Sequence, residues 1–102
     1  MGTLHTVNKS PFTDQALKSC LSLCASGDSL LLIEDGTYGA LTAAPTAKLL
    51  DDATKRGIKV YALASDLAAR GLDAQLAAGI VLTDYQGFVR LSCEHETIQS
   101  WY

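Results

Sequence analysis

Ser29-Leu-Leu-Leu-Ile-Glu-Asp-Gly36, running on into Thr37-Tyr38-Gly39-Ala40, decides how the rest of the chain is read. Leu30 to Ile33 are consecutive large apolar residues, so they cannot alternate inward and outward as a half-solvated antiparallel strand does. A short unbroken apolar run bounded by turn signals predicts a strand buried on both faces, the usual state inside a parallel sheet. Gly27-Asp28 punctuate its start and Asp35-Gly36 its end. In open parallel sheets, binding and chemistry collect beyond the carboxyl ends of the strands, which directs attention to the Glu34–Ala40 loop.

Strand and helix signals alternate on either side of this run. Thr3–Val7 is β-prone, and Ser10-Pro11 reads as a cap followed by a first-position proline. A helix is expected from Pro11 to about Ala25, closed by Gly27, with Leu17, Cys20, Leu21 and Cys24 on one buried face. After the glycine loop comes a weak helical stretch around Leu41, then a helix from Pro45 to Arg56 that stops at Gly57. The pairs Asp51 with Lys55 and Asp52 with Arg56 mark the solvated side of that helix.

Ile58–Leu63 is the next strand, and Ser65-Asp66 cap a short helix ending at Arg70-Gly71, followed by a turn or two over Asp73–Ala78. Ile80–Thr83 is expected to be a further buried strand. Asp84 caps the last helix, where Tyr85, Phe88, Val89 and Cys93 share a face. Glu96–Tyr102 reads as a short edge strand. The expectation is a single α/β domain over residues 1–102: a small three-layer fold with a mostly parallel sheet of four or five strands flanked by helices.

Composition narrows the function classes. A 102-residue chain buries only about two-thirds of its unfolded surface, yet 48% of the residues are hydrophobic and 19% charged. Apolar surface left over would be covered by partner subunits, so a stable monomer is not expected. Terminal Trp101 and Tyr102 read either as anchors in such an interface or as a tail packed on its own domain. A net charge of -3 argues against a nucleic-acid or anionic-membrane surface. The Met1–Val7 segment has neither a basic start nor a long apolar run, so no signal peptide is expected, and no stretch is long enough to span a bilayer. Three cysteines without a secretory signal point to reduced thiols in the cytoplasm.

Residue chemistry alone leaves few sites. Gly36 and Gly39 match neither the dinucleotide fingerprint nor a P-loop, and Asp35 reads as a turn former. Cys20 and Cys24, with Cys93-x-His95 further on, lack the spacing of paired zinc knuckles, so neither a metal nor a cofactor is expected. His5 reads as a strand histidine at the core margin and His95 as exposed. No nucleophile elbow marks a hydrolase. What remains is thiol chemistry, which needs a partly exposed thiolate, whereas all three cysteines fall on apolar helix phases.

The order of motifs goes further. Leu4-His5-Thr6 with Ser10-Pro11, Leu30–Gly36, Ile58-Lys-Val-Tyr-Ala-Leu63, Asp66-Leu-Ala-Ala-Arg-Gly-Leu72, Asp84-Tyr-Gln-Gly-Phe-Val-Arg-Leu91 and terminal Trp101 together resemble the DsrH/TusB proteins of bacterial sulfur relay. The resemblance implies a small α/β subunit of a cytoplasmic sulfurtransferase complex that passes persulfide sulfur between proteins. Its sister subunits would be of the DsrE/TusD and DsrF/TusC types, in a heterohexamer with two copies of each chain. Sulfur donor and acceptor proteins complete the expected partners, with no direct nucleic-acid contact and no membrane.

Cys20 matches the first-helix cysteine of DsrH-type sequences, which TusB-type sequences commonly lack, so it is the candidate sulfur-carrying residue. Cys24 and Cys93 match no family motif. On that ground the resemblance favours dissimilatory sulfur oxidation. The alternatives are the relay for tRNA 2-thiouridine synthesis, or a purely structural subunit whose active cysteine lies on a sister chain.

Overall fold

The computed structural model describes residues 2–102; Met1, the first residue of the segment read for a leader, lies outside the described residues. Five strands, β1 (Thr3–Val7), β2 (Ser29–Leu32), β3 (Lys59–Leu63), β4 (Ile80–Thr83) and β5 (Thr97–Trp101), form one sheet in the order β4-β3-β2-β1-β5. Every pairing is parallel. The four helices are α1 (Ala16–Leu23), α2 (Ala47–Lys55), α3 (Ala64–Ala69) and α4 (Tyr85–Glu94). The expected α/β architecture is therefore the observed one, with the sheet at its upper strand count and wholly parallel.

Leu30, Leu31 and Leu32 are all 0% exposed, as an unbroken apolar run at the centre of a parallel sheet requires. The pleat divides them. Leu30 and Leu32 join Val7, Val60 and Ala62 under α1 and α2, in a core that includes Leu17, Leu21, Leu50 and Ala53. Leu31 joins Leu4, Ile33 and Leu63 on the opposite face, where Leu91 and Phe88 of α4 cover them. The β4-to-β5 connection through α4 carries the chain from one edge of the sheet to the other, so the winding reverses between β1 and β5.

Several expected boundaries move for identifiable reasons. The first helix begins at Ala16 rather than Pro11. Ser10 Oγ accepts from the Phe12 N–H, and Asp14 Oδ1 takes the Ala16 N–H at 2.7 Å, so side chains hold residues 10–15 in turns. The Pro45 helix begins at Ala47, and the stretch around Leu41 is not helical: after a 3-10 segment over Glu34–Ala40, Leu41 makes an isolated antiparallel bridge to Leu76 and the chain then turns. Asp66 lies inside α3 and spends its carboxylate on the Glu34 N–H at 2.6 Å instead of capping its own helix.

β4 is a strand as expected but is not buried. It pairs only with β3, and Val81 and Leu82 are half exposed. In α4, Asp84 Oδ1 caps by accepting the Gly87 N–H at 2.8 Å, as expected. That helix has two apolar lines and buries only one. Gly87 and Leu91 face inward with Phe88, whereas Tyr85, Val89 and Cys93 form an exposed stripe at four-residue spacing. No helix among the described residues is long and apolar enough to cross a membrane.

Candidate functional site

At the carboxyl end of β2, Glu34 borders an open cavity of about 360 Å³ with Leu63, Asp66, Tyr85 and Phe88, but the glycines of the Glu34–Ala40 loop are turned to packing. A β-carbon at Gly36 would run into the Val7 carbonyl oxygen, and one at Gly39 would stand 2.5 Å from Leu17 Cδ2. These glycines permit close backbone packing, and Thr37 and Ala40 between and after them are buried too. Asp35 faces outward and pairs with Arg70 at 3.0 Å. Glu34 adopts a left-handed φ of 50°, held by its N–H bond to Asp66 and by Thr37 Oγ1 donating to its carbonyl.

Chemistry-bearing side chains gather instead at the amino end of the sheet. Asp28, just before β2, accepts the Thr3 N–H on Oδ1 and the Ala25 N–H on Oδ2, each at 3.0 Å. His5 of β1 reaches the same Oδ2 through Nε2 at 2.9 Å. On its other side, His5 Nδ1 accepts the indole N–H of Trp101 at 3.0 Å. An indole nitrogen can only donate, so Nδ1 holds the lone pair and the ring proton sits on Nε2, directed at Asp28. Burial alone would push the Asp28 carboxyl up. The Ala25 and Thr3 N–H groups and His5 outweigh it and hold the carboxyl below its ordinary value.

α1 lays two thiols on this network. Cys20 on its last turn and Cys24 at its carboxyl cap bring their sulfurs to 3.7 Å. Cys20 is 0% exposed and Cys24 5%. The Cys24 thiol is held below its ordinary pKa: the hydrogen bond with Cys20 and the nearby Arg56 lower it, and burial and the Asp28 charge oppose. For Cys20 the same hydrogen bond, burial and the electrostatics of Cys24 and Asp28 all act upward and push its thiol far above the ordinary range. Arg56 anchors the same corner by donating to the Leu21 and Cys24 carbonyls at 3.3 and 3.4 Å.

The ligating atoms of His5, Cys20 and Cys24 all lie within 4.8 Å of one another. The pairing weighed from sequence, Cys20 and Cys24 with Cys93 and His95, does not form. Cys93 is exposed on α4, on the opposite face of the sheet. His95 is half-buried rather than exposed: Nδ1 donates to the Leu91 carbonyl at 2.7 Å, and Nε2 accepts from Ser29 Oγ at 3.0 Å. An open cavity of about 310 Å³ lies beside the network, with Asp28, Ser29, Lys59, Tyr61 and His95 in its wall. His5, Asp28 and Trp101 were missed as site residues from sequence, because only the β1–β2 and β1–β5 registers bring them together.

Residues 9–98 match the family model described as DsrH like protein. The chain belongs to the DsrH-like family. It is 42% identical to Protein TusB of Escherichia coli strain K12, over 96% of this chain and 99% of that one. Protein TusB of Shigella boydii is 41% identical over the same shares. Among solved structures, the ychN protein of E. coli superposes with a TM-score of 0.85 over 98% of this chain and 99% of its own, at 15% identity. A protein of unknown function from Methanobacterium thermoautotrophicum gives 0.80 over 95% and 96%, at 14% identity. These structural likenesses speak for the fold. The TusB relatives weigh against the preference for sulfur oxidation that Cys20 suggested and favour the alternative branch.

Proposed function

We propose that this chain is a TusB-type subunit of a cytoplasmic sulfur relay that supplies sulfur for 2-thiouridine in tRNA. The observation that carries the reading is the 42% identity to Protein TusB along nearly the whole of both chains. Its partners on this reading are sister subunits of the TusD and TusC types, together with a sulfur donor and an acceptor. The exposed Tyr85, Val89 and Cys93 stripe, flanked by Val81 on the edge strand, is the surface that suits such a sister chain.

The burial of Cys20 supports a supporting role, with the principal sulfur-carrying cysteine on a sister subunit. Cys20 as a carrier in its own right is the second reading, resting on its match to the DsrH-type first-helix position, while Cys24 at 3.7 Å holds its thiol protonated and would have to yield first. In that case a thiolate attacks the outer sulfur of a partner persulfide, a new S–S bond forms, and the partner's thiolate leaves. No net oxidation is involved.

Deleting the gene should abolish tRNA 2-thiouridine, and the wild-type chain should restore it. Retention of the modified base in the deletion strain overturns the relay reading. Rescue by Cys20→Ser assigns the chain the supporting role; failure of a folded Cys20→Ser chain that still joins its sisters assigns Cys20 the sulfur.

A further inference from the structure

We propose that His5, Cys20 and Cys24 form a binding site for one thiophilic divalent ion of the Zn²⁺ class, opened by displacement of Trp101. Two thiol sulfurs and an imidazole nitrogen are the donor set such an ion prefers. Zn–S bonds of about 2.3 Å at a tetrahedral centre separate two sulfurs by about 3.8 Å. The sulfurs here stand at 3.7 Å. The widest separation in the triangle is under 4.8 Å, so closing it asks for a shift at the imidazole of about 1 Å.

Charge fits the location. Two thiolates balance a divalent ion and the imidazole is neutral, so the filled site carries no net charge into a buried corner. Binding releases the two thiol protons. With Nδ1 as the ligand, Asp28, already bonded to His5 Nε2 at 2.9 Å, supplies the outer carboxylate that orients metal-bound histidines.

Trp101 acts as the latch, for a reason that does not depend on which nitrogen binds. A neutral imidazole has one lone pair, and here the Trp101 N–H holds it. If Nδ1 takes the ion, the indole loses its acceptor. If Nε2 takes it, Nδ1 must carry the proton and confronts the indole N–H donor to donor. Metal binding and the Trp101–His5 hydrogen bond therefore exclude each other. Trp101 can yield because it ends an edge strand and is only partly buried. This inference requires no persulfide chemistry and stands or falls separately from the relay reading.

The test uses the full chain, reduced and stripped with chelator, titrated with Co²⁺ and then with Zn²⁺. Co²⁺ should bind one-to-one with a thiolate-to-metal charge-transfer band in the near ultraviolet, and Zn²⁺ should displace it. The band should disappear in Cys20→Ser and in Cys24→Ser and persist in Cys93→Ser. Trp101 is the sole tryptophan, so its fluorescence should change and saturate at one equivalent of Zn²⁺. Trp101→Phe should tighten Co²⁺ binding by about fivefold, the worth of one net hydrogen bond. No charge-transfer band, or one that survives both buried-cysteine substitutions, overturns the site. If those variants do not fold, the wild-type fluorescence decides: a saturated band with unmoved Trp101 emission places the ion elsewhere.

Discussion

α1 and α2 close one face of the sheet, whereas α4 alone lies across the other, and the two faces are finished to different degrees. On the first, Leu17, Leu21, Leu50 and Ala53 meet Leu30, Leu32, Val60 and Ala62, although Leu23 of α1 and Leu49 of α2 stay exposed. His5, Cys20 and Cys24 are sealed into one corner of it. On the second, α4 covers Leu4, Leu31 and Leu63 through Leu91 and Phe88 but leaves Val81, Tyr85 and Val89 to solvent. One helix cannot shield five strands. The difference separates two jobs: the first face holds the monomer and its titratable cluster, and the second offers apolar surface to another chain.

Truncation should expose this asymmetry most strongly. Leu17 is 1% exposed and packs beneath Gly39, so Leu17→Ala should cost about 3–4 kcal/mol as lost burial plus a cavity. Val89→Ala removes a side chain that is 63% exposed, and should change stability by less than about 0.5 kcal/mol. Chemical denaturation of the isolated chain measures both. Equal losses would mean that α4 is buried as fully as α1, and the contrast between the faces would fail.

A smaller loss is expected at the corner where the first face carries charge. Asp28→Asn should cost about 2 kcal/mol at neutral pH, because an amide nitrogen would face donors that the carboxylate now accepts. The native Asp28 carboxyl lies below its ordinary value: burial pushes it up, but the Ala25 and Thr3 N–H bonds and His5 prevail. Its contribution is therefore fully present above the unfolded value of about 3.9 and lost as pH falls through the lower folded one. Wild type and variant should accordingly converge in stability in acid. A gap that stays constant to low pH would show that Asp28 acts by shape rather than charge.

The two faces also differ in what the sequence disclosed. The Leu30–Ile33 run placed β2 at the centre of the sheet, since four large apolar residues in succession have no other comfortable state. Helical spacing likewise put Leu17, Cys20, Leu21 and Cys24 on one buried face. The cluster around Asp28 stayed hidden because its members come from β1, α1, the turn before β2 and β5, and no local pattern links residues 5, 28 and 101. Proximity to a strand's carboxyl end pointed to the glycine loop, yet Gly36 and Gly39 serve close packing. In α4 the expected line broke in two: Phe88 turns inward beside Leu91, and only Tyr85, Val89 and Cys93 stay together, facing outward. Periodicity cannot tell a line buried in its own domain from one left for a partner.

That ambiguity yields the prediction with the smallest effect on the monomer. Val89→Asp puts a carboxylate on the exposed line of α4, where water can solvate it, so the isolated chain should unfold within about 0.5 kcal/mol of wild type. In a complex that covers this stripe, the same carboxylate would be stripped of water without a partner. Association with sister subunits should weaken about a hundredfold or more. Leu23→Asp is the matched control, because Leu23 is 67% exposed on α1, outside the finished face. It introduces the same charge at similar exposure and should leave assembly unchanged. Sedimentation of each variant with its sister chains reads the outcome. Disruption by Leu23→Asp and not by Val89→Asp would move the docking surface to the α1 side. Disruption by neither would mean that the apolar stripe on α4 is not where the partner sits.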